Sequence, residues 1–198
     1  MRTLKVNEPI ALSEFVEDLK AGKVVIFPTD TVYGLGCILS APETIKKILE
    51  LKGRKPDKPF PLLVADLKTA LRMAHFSESA KKMAEKFWPG PVTLILKSRR
   101  PLPKACRGRP LSPLVSKKGT VGLRIPDHPF LRMALKKVGQ PIIGTSANLT
   151  GEKPASEISG ISESLKLNVD LVIDGGKVSG KPSTIYDCTG PSLKTIRP

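Results

Sequence analysis

Four short polar stretches, each set just after an apolar run, constrain this chain more than any other feature. They are Pro28–Gly34 (PTDTVYG), Lys52–Arg54 (KGR), Thr145–Asn148 (TSAN) and Lys181–Thr184 (KPST). Hydroxyls, glycines and cations stand there in place of the Val or Leu that a core would take. Ligands of open α/β sheets collect outside the carboxyl ends of strands, so four such loops can line one pocket although far apart in sequence. The ligand they suit is small and either phosphorylated or zwitterionic. At 198 residues the chain is long enough to bury a full core and reads as a single domain, 1–198.

Between these stretches, helical and strand periods alternate. Leu12, Phe15, Val16 and Leu19 repeat at helical spacing, with Ser13 as the expected N-cap and Gly22 beyond the end. Val24–Phe27 follows as a short buried strand. A second helix runs from Pro42 toward Lys52, where Pro56 and Pro59 forbid its continuation. Leu62–Ala65 reads as a strand, and Ala80, Met83, Ala84 and Phe87 form a third stripe behind a Ser77 cap. Strands are expected at Val92–Leu96, Thr120–Ile125 and Pro141–Gly144, and helices near Phe130–Val138 and Ser156–Leu165. Three short strands, Leu171–Asp174, Thr184–Asp187 and Leu193–Ile196, close the sequence. Early alternation with a strand-rich end predicts an α/β fold built on a twisted, open, mixed sheet with flanking helices.

Composition narrows the setting. The formal net charge of +15 attracts polyanions, so tRNA or double-stranded RNA is a candidate partner, while a merely solvated basic surface gives the same number. Cys37, Cys106 and Cys188 are odd in number and share no CxxC spacing, and His75 and His128 are the only histidines. That pattern predicts neither a disulfide framework nor a protein-built metal site. The first residues lack an apolar stretch of signal-peptide length, and no run approaches a membrane span. A cytoplasmic location is expected.

The loops then carry the chemistry. Arg54 can fork two N–H groups onto phosphate oxygens while Lys52 and Lys58 supply point charges; cations closing a helix would look the same. Thr29, Asp30, Thr31 and Tyr33 precede Gly34-Leu35-Gly36, where glycines permit left-handed backbone and close approach of a ligand; an Asx or Ser/Thr turn uses the same residues. Thr145, Ser146 and Asn148 add uncharged donors and acceptors, or cap a helix. His128, between Asp127 and Pro129, fits a general base or a packed turn. No phosphate-binding GxxxxGK[ST] loop, dinucleotide fingerprint or GxSxG elbow occurs. Positioning and charge stabilisation suit this residue set better than covalent catalysis.

Together these stretches resemble the YrdC-type threonylcarbamoyl-AMP synthases, over nearly the whole chain and in family order. The matching pieces are FPTDTVYGLG (27–36), KGR (52–54), WPGPVTL (88–94), VGLRIPDHP (121–129), TSANLTG (145–151), PSTIYD (182–187) and the closing Ile196-Arg197-Pro198. The resemblance implies a YrdC-like fold and the condensation of L-threonine, bicarbonate and ATP into threonylcarbamoyl-AMP and pyrophosphate. The product would pass to a tRNA threonylcarbamoyl transferase complex, which modifies the adenosine beside the anticodon. By motif, Thr31, Arg124, Ser183 and the backbone at Gly144 would hold threonine. Arg54, Lys58, Thr120, Ser146, Asn148 and Arg197 would surround ATP, with Lys52, Arg54, Ser146 and Asn148 as the catalytic set. Magnesium would arrive on the ATP phosphates.

The chain departs from the pattern in three places, one being the stretch Gly151-Glu152-Lys153-Pro154-Ala155, a residue longer than the usual loop, from which the resemblance carries over Pro154. It has Leu62-Leu63-Val64-Ala65 where many longer members carry a His, and it ends at Pro198 without their appended domain. Residues 98–119 hold seven cations and no acid, and are expected to act as a flap over bound nucleotide. Two other readings stay open. One is a non-enzymatic RNA-binding module. The other is synthesis of carbamoyl-adenylate from carbamoyl phosphate, the role of related domains in carbamoyltransferases.

Overall fold

Central strands such as Val25-Ile26-Phe27 and Gly34–Ile38 are buried along their whole length, so both faces of the sheet need cover there. The computed structural model describes residues 1–99 and 112–198. Among them, twelve strands form one sheet: β1 (Arg2–Lys5), β2 (Val25–Phe27), β3 (Gly34–Ile38), β4 (Leu62–Leu63), β5 (Ala74–His75), β6 (Val92–Ser98), β7 (Ser116–Lys117), β8 (Thr120–Arg124), β9 (Ile142–Ser146), β10 (Leu171–Asp174), β11 (Thr184–Asp187) and β12 (Lys194–Arg197). Their order is β1-β10-β2-β3-β9-β4-β8-β6-β11-β12, with β5 beside β6 and β7 beside β8. Pairing is parallel for β1/β10, β10/β2, β4/β8 and β6/β11, and antiparallel elsewhere, which makes the sheet mixed.

One face is sealed between the two edge strands. Ile26, Leu35, Cys37, Leu62, Ile143, Leu94, Leu96, Val121 and Leu123 point into a single cluster. It is closed by α2 (Pro42–Leu51), α3 (Leu67–Met73), α4 (Glu78–Phe87) and α6 (Glu163–Leu167) through residues such as Ile45, Ile48, Ala70, Ala84 and Leu165. The other face is sealed over half its width. There α1 (Ala11–Lys20) and α5 (Pro129–Val138) cover Val25, Phe27, Leu171, Ile173 and Ile142. Phe15 sits at the centre, with ring centroids 5.7 Å from Phe27 and 5.4 Å from Phe130. From the second half of β9 onward, that face carries Gly144, Ser146, Thr120, Gly122, Thr93 and Ile95, and no helix lies over them among the described residues.

Several elements differ from expectation, each for a physical reason. Ser13 is not the cap of α1: the helix starts at Ala11, and the Ser13 hydroxyl donates to the Ile10 carbonyl at 2.9 Å. Gly34-Leu35-Gly36 is not a left-handed loop but the start of β3, and its glycines make room for neighbours. A Cβ on Gly34 would lie 2.6 Å from the Phe27 ring, and one on Gly36 would lie 2.1 Å from the Ile143 carbonyl. β1 lacks an apolar face, with three of its four residues exposed, so the sequence pattern does not reveal it. α3 escapes the periodicity because it is only seven residues long, although Asp66 caps it by accepting the Thr69 amide at 2.7 Å. The expected helix near 156–165 is a 3-10 turn, Ile158–Gly160, followed by α6. The loop expected over 98–119 is shorter: β6 runs through Ser98 and β7 begins at Ser116. Most of the proposed flap lies outside the described residues.

Candidate active site

The uncovered half of the sheet face is the floor of a cavity of about 570 Å³. The pocket therefore lies along the face of the strands, not only beyond their ends. All four polar stretches reach it, through Thr31, Arg54, Ser146 and Ser183, and β8 adds Arg124. Gly144, Thr120 and Arg197 also line it.

Arg124 closes the deeper end. It is 6% exposed, and its guanidinium is fixed from three directions. Nε donates to the Gly90 carbonyl at 3.0 Å, one terminal nitrogen donates to Thr31 Oγ1 at 2.9 Å, and the other donates to Asp30 Oδ1 at 2.5 Å. These bonds use three of its five N–H donors. Burial pulls the Arg124 pKa down, and Asp30 opposes that pull. Asp30 Oδ2 is buried with no hydrogen-bond partner among the described residues. Thr31 is held in turn by Thr29, their hydroxyls 2.9 Å apart. The Thr31 carbonyl accepts from the Gly180 amide at 2.7 Å and the Ser179 hydroxyl at 3.0 Å, which brings the segment before Ser183 to the same place.

The outer end is cationic and more open. Arg54 lies 5.0 Å over the Phe60 ring, and donates to the Lys58 carbonyl at 3.0 Å and the Pro59 carbonyl at 3.3 Å. Burial lowers its pKa, Asp57 opposes that, and Arg197 lowers it further, so two like charges face one region beside a single carboxylate. Such a pair is relieved by an anion. Arg197 reaches back fourteen residues to Ser183, donating to its carbonyl at 2.7 and 3.0 Å and to its hydroxyl at 3.2 Å. Ser183 Oγ also lies 3.0 Å from Thr93 Oγ1. The tight β7–β8 turn places Lys117 and Lys118 on the rim, and Lys117 Nζ donates to the Asp57 carbonyl at 2.9 Å.

Three of the expected site residues stand elsewhere. Lys52 and Asn148 are buried behind the lining rather than in it. Lys52 Nζ donates to the Ser146 carbonyl at 2.6 Å, the Asn148 carbonyl at 2.5 Å and Asn148 Oδ1 at 3.3 Å, so it anchors the turn that presents Ser146. Burial first, then Arg54, pushes its pKa down to about 8. Asn148 Nδ2 donates to the Glu152 carbonyl at 2.7 Å. Lys58 is exposed and contributes only its carbonyl to Arg54. His128 is the N-cap residue of α5, outside the lining, and burial lowers its pKa. Leu63 and not a polar residue lies over Gly144, where a Cβ would come within 2.7 Å of it. Pro154, from the loop that is longer than the family pattern, lines the cavity, and the structure also brings in Thr93, Asp187 and Thr189, which the sequence pattern did not single out. Among the described residues, no group of three or more His, Cys, Asp or Glu could hold a metal ion, and no helix is long and apolar enough to cross a membrane.

A family model for Sua5, YciO and YrdC proteins, described as "Telomere recombination", matches residues 17–198. The chain belongs to this family. Its Sua5/YciO/YrdC relatives include a Bacillus subtilis protein named threonylcarbamoyl-AMP synthase, 34% identical over 98% of this chain and 55% of its own length. A Methanocaldococcus jannaschii protein named putative threonylcarbamoyl-AMP synthase is 34% identical over 98% of this chain and 88% of its own. Among solved structures, P. abyssi Sua5 complexed with L-threonine superposes with a TM-score of 0.86 at 29% identity, over 100% of this chain and 57% of that one. E. coli YciO gives 0.85 at 27% identity, over 99% and 93%. The chain thus has the Sua5/YciO fold and spans a little over half the length of the B. subtilis and P. abyssi proteins.

Proposed function

We propose that this cavity condenses L-threonine, bicarbonate and ATP into threonylcarbamoyl-AMP, with release of pyrophosphate. The observation that carries the reading is that one cavity holds two unlike anion sites: a buried, pre-oriented guanidinium at Arg124 and an open pair of like charges at Arg54 and Arg197. An amino acid carboxylate suits the first and a polyphosphate suits the second. The names of the B. subtilis and M. jannaschii relatives support the same reaction, and the threonine complex of the P. abyssi protein supports the amino acid.

In this reading Arg124, with Thr31, the Gly144 backbone and Ser183, holds threonine so that its amine faces the centre of the cavity. Bicarbonate takes up the proton that the threonine ammonium gives up on becoming the free amine, and loses water to give carbon dioxide. The amine lone pair forms the C–N bond and sheds a proton, which yields a carbamate. A carbamate oxygen then attacks the α-phosphorus, and the bond from that phosphorus to the β,γ-pyrophosphate breaks. Both reactants are anionic, so Arg54, Arg197 and Lys117 offset their repulsion while Thr120 and Ser146 supply hydrogen bonds. Lys52 and Asn148 act through Ser146 by fixing its turn. Magnesium enters with ATP as part of the substrate and neutralises phosphate charge, keeping its waters. The labile product passes to a tRNA threonylcarbamoyl transferase in the cytoplasm, and the basic surface offers a tRNA contact.

Pyrophosphate release with each substrate omitted in turn tests the reading. Release that needs ATP, threonine and bicarbonate together is the expected result. Release with carbamoyl phosphate and none with threonine assigns the cavity to carbamoyl-adenylate synthesis instead. RNA binding with no nucleotide turnover leaves only a binding module.

A further inference from the structure

The cavity holds a carboxylate outside this proposed machinery. Asp187 ends β11, half-buried, and lines the same cavity as Arg54, Lys117, Arg124 and Arg197. Yet Asp187 makes no ion pair among the described residues. Its Oδ1 accepts from the Thr189 amide at 2.9 Å and the Thr189 hydroxyl at 2.7 Å. That local turn fixes the carboxylate and leaves Oδ2 without a hydrogen bond among the described residues.

Strand register shows what lies beside it. Asp187 is paired with Ile95, and Ile95 with Gly122, all on the cavity side of the sheet. Adjacent strands are about 4.8 Å apart, so this row is a shelf roughly 10 Å wide. It offers an acceptor at one edge, then an aliphatic side chain, then bare backbone. An anion is repelled from such an edge, so the phosphates of a nucleotide go to the cations. A flat, uncharged group that carries hydrogen-bond donors fits the shelf.

We infer that Asp187 is a nucleotide-specificity residue. Its Oδ2 accepts a hydrogen bond from the nucleoside of the triphosphate, from a ribose hydroxyl or the ring amine, while the base lies over Ile95 and Gly122. The inference rests on the proposed ATP-dependent reaction, but only on its nucleotide half.

Asp187→Asn keeps an acceptor for Thr189 and turns the free oxygen into a donor. The test is calorimetric binding without threonine or bicarbonate, using ATP, 2′-deoxyATP, 3′-deoxyATP and purine riboside triphosphate, each with and without Mg2+. The wild type is expected to prefer ATP to at least one analogue. Asp187→Asn is expected to weaken ATP about tenfold or more and to leave that analogue unchanged. Lost discrimination against a deoxynucleotide assigns the contact to the sugar; lost discrimination against purine riboside triphosphate assigns it to the ring amine. Equal weakening of every nucleotide overturns the inference, as does a loss seen only with Mg2+. Asp187→Ala is the second variant, and a lowered melting temperature with unchanged nucleotide preference also overturns it. If Asp187→Asn shifts nucleotide preference but threonine never stimulates pyrophosphate release, the synthase reading fails and the Asp187 contact stands.

Discussion

The two ends of the cavity bind charge in different ways. At the deep end, Arg124 is sealed in and tied to Asp30, Thr31 and Gly90, so its geometry is set before any ligand arrives. At the outer end, Arg54 and Arg197 are more exposed, lean on backbone carbonyls and repel each other. A preformed guanidinium suits a small ligand whose orientation decides the chemistry. A cluster of like charges suits a flexible polyphosphate that relieves the repulsion on binding. The contrast teaches that fold stability and function are coupled at Arg124 and largely separate at Arg54 and Arg197.

Arg124→Leu should break the comparison most strongly. It leaves the buried Asp30 carboxylate without its counter-charge, and losing one partner of a buried pair costs about 3–5 kcal/mol. Urea denaturation should show that loss and calorimetry should show no threonine binding. Adding Asp30→Asn to Arg124→Leu should recover much of the stability and none of the binding. A wild-type denaturation midpoint for Arg124→Leu would show that the deep pair is not structural.

Arg54→Ala should affect catalysis more than folding. A loss of roughly 2–5 kcal/mol in transition-state stabilisation is expected, read from kcat/KM for ATP. Its urea midpoint should stay near that of the wild type, because Arg54 leaves no buried charge behind. Arg197→Ala should cost less, about 1 kcal/mol, since Ser183 keeps its bond to Thr93. It should raise the KM values for threonine and ATP together, because Ser183 stands between the two ends.

Loops read well from the sequence where their chemistry is local. The Ser77 cap of α4 is as the sequence predicts, and Ser183 and Arg197, both site residues implied by the family resemblance, meet in the structure. What was illegible depends on partners far away in the chain. Asp30 as the counter-ion of Arg124 joins residues 94 apart, and Lys52, expected in the catalytic set or as a helix-end cation, gives its three donors to Ser146 and Asn148. The glycines of β3 make room for Phe27 and Ile143, and Gly34 also lines the cavity. One signal for the open sheet face was present: β8 alternates Val121 and Leu123 with Thr120 and Gly122, a strand whose second face has nothing apolar to bury.

A smaller effect sharpens the role of Lys52. An ordinary lysine keeps its proton to pH 10.5, whereas burial lowers the folded value to about 8. Between these values the unfolded chain binds more protons at this site, so Lys52 makes stability rise with pH across that window and contributes no slope below it. Urea midpoints from pH 7 to 10 should show a rising component that Lys52→Met removes. Equal slopes in both proteins would mean that the lysine is not held in the buried, charged state described.

The central claim is that one cavity holds an amino acid at Arg124 and a nucleotide at Arg54 and Arg197. Calorimetric titration of threonine and of MgATP into the wild type, Arg124→Gln and Arg54→Ala tests it most directly. The account predicts that Arg124→Gln loses threonine and keeps ATP, that Arg54→Ala does the reverse, and that the wild type binds both at once. Threonine displacing ATP from the wild type, or both variants losing the same ligand, would contradict it.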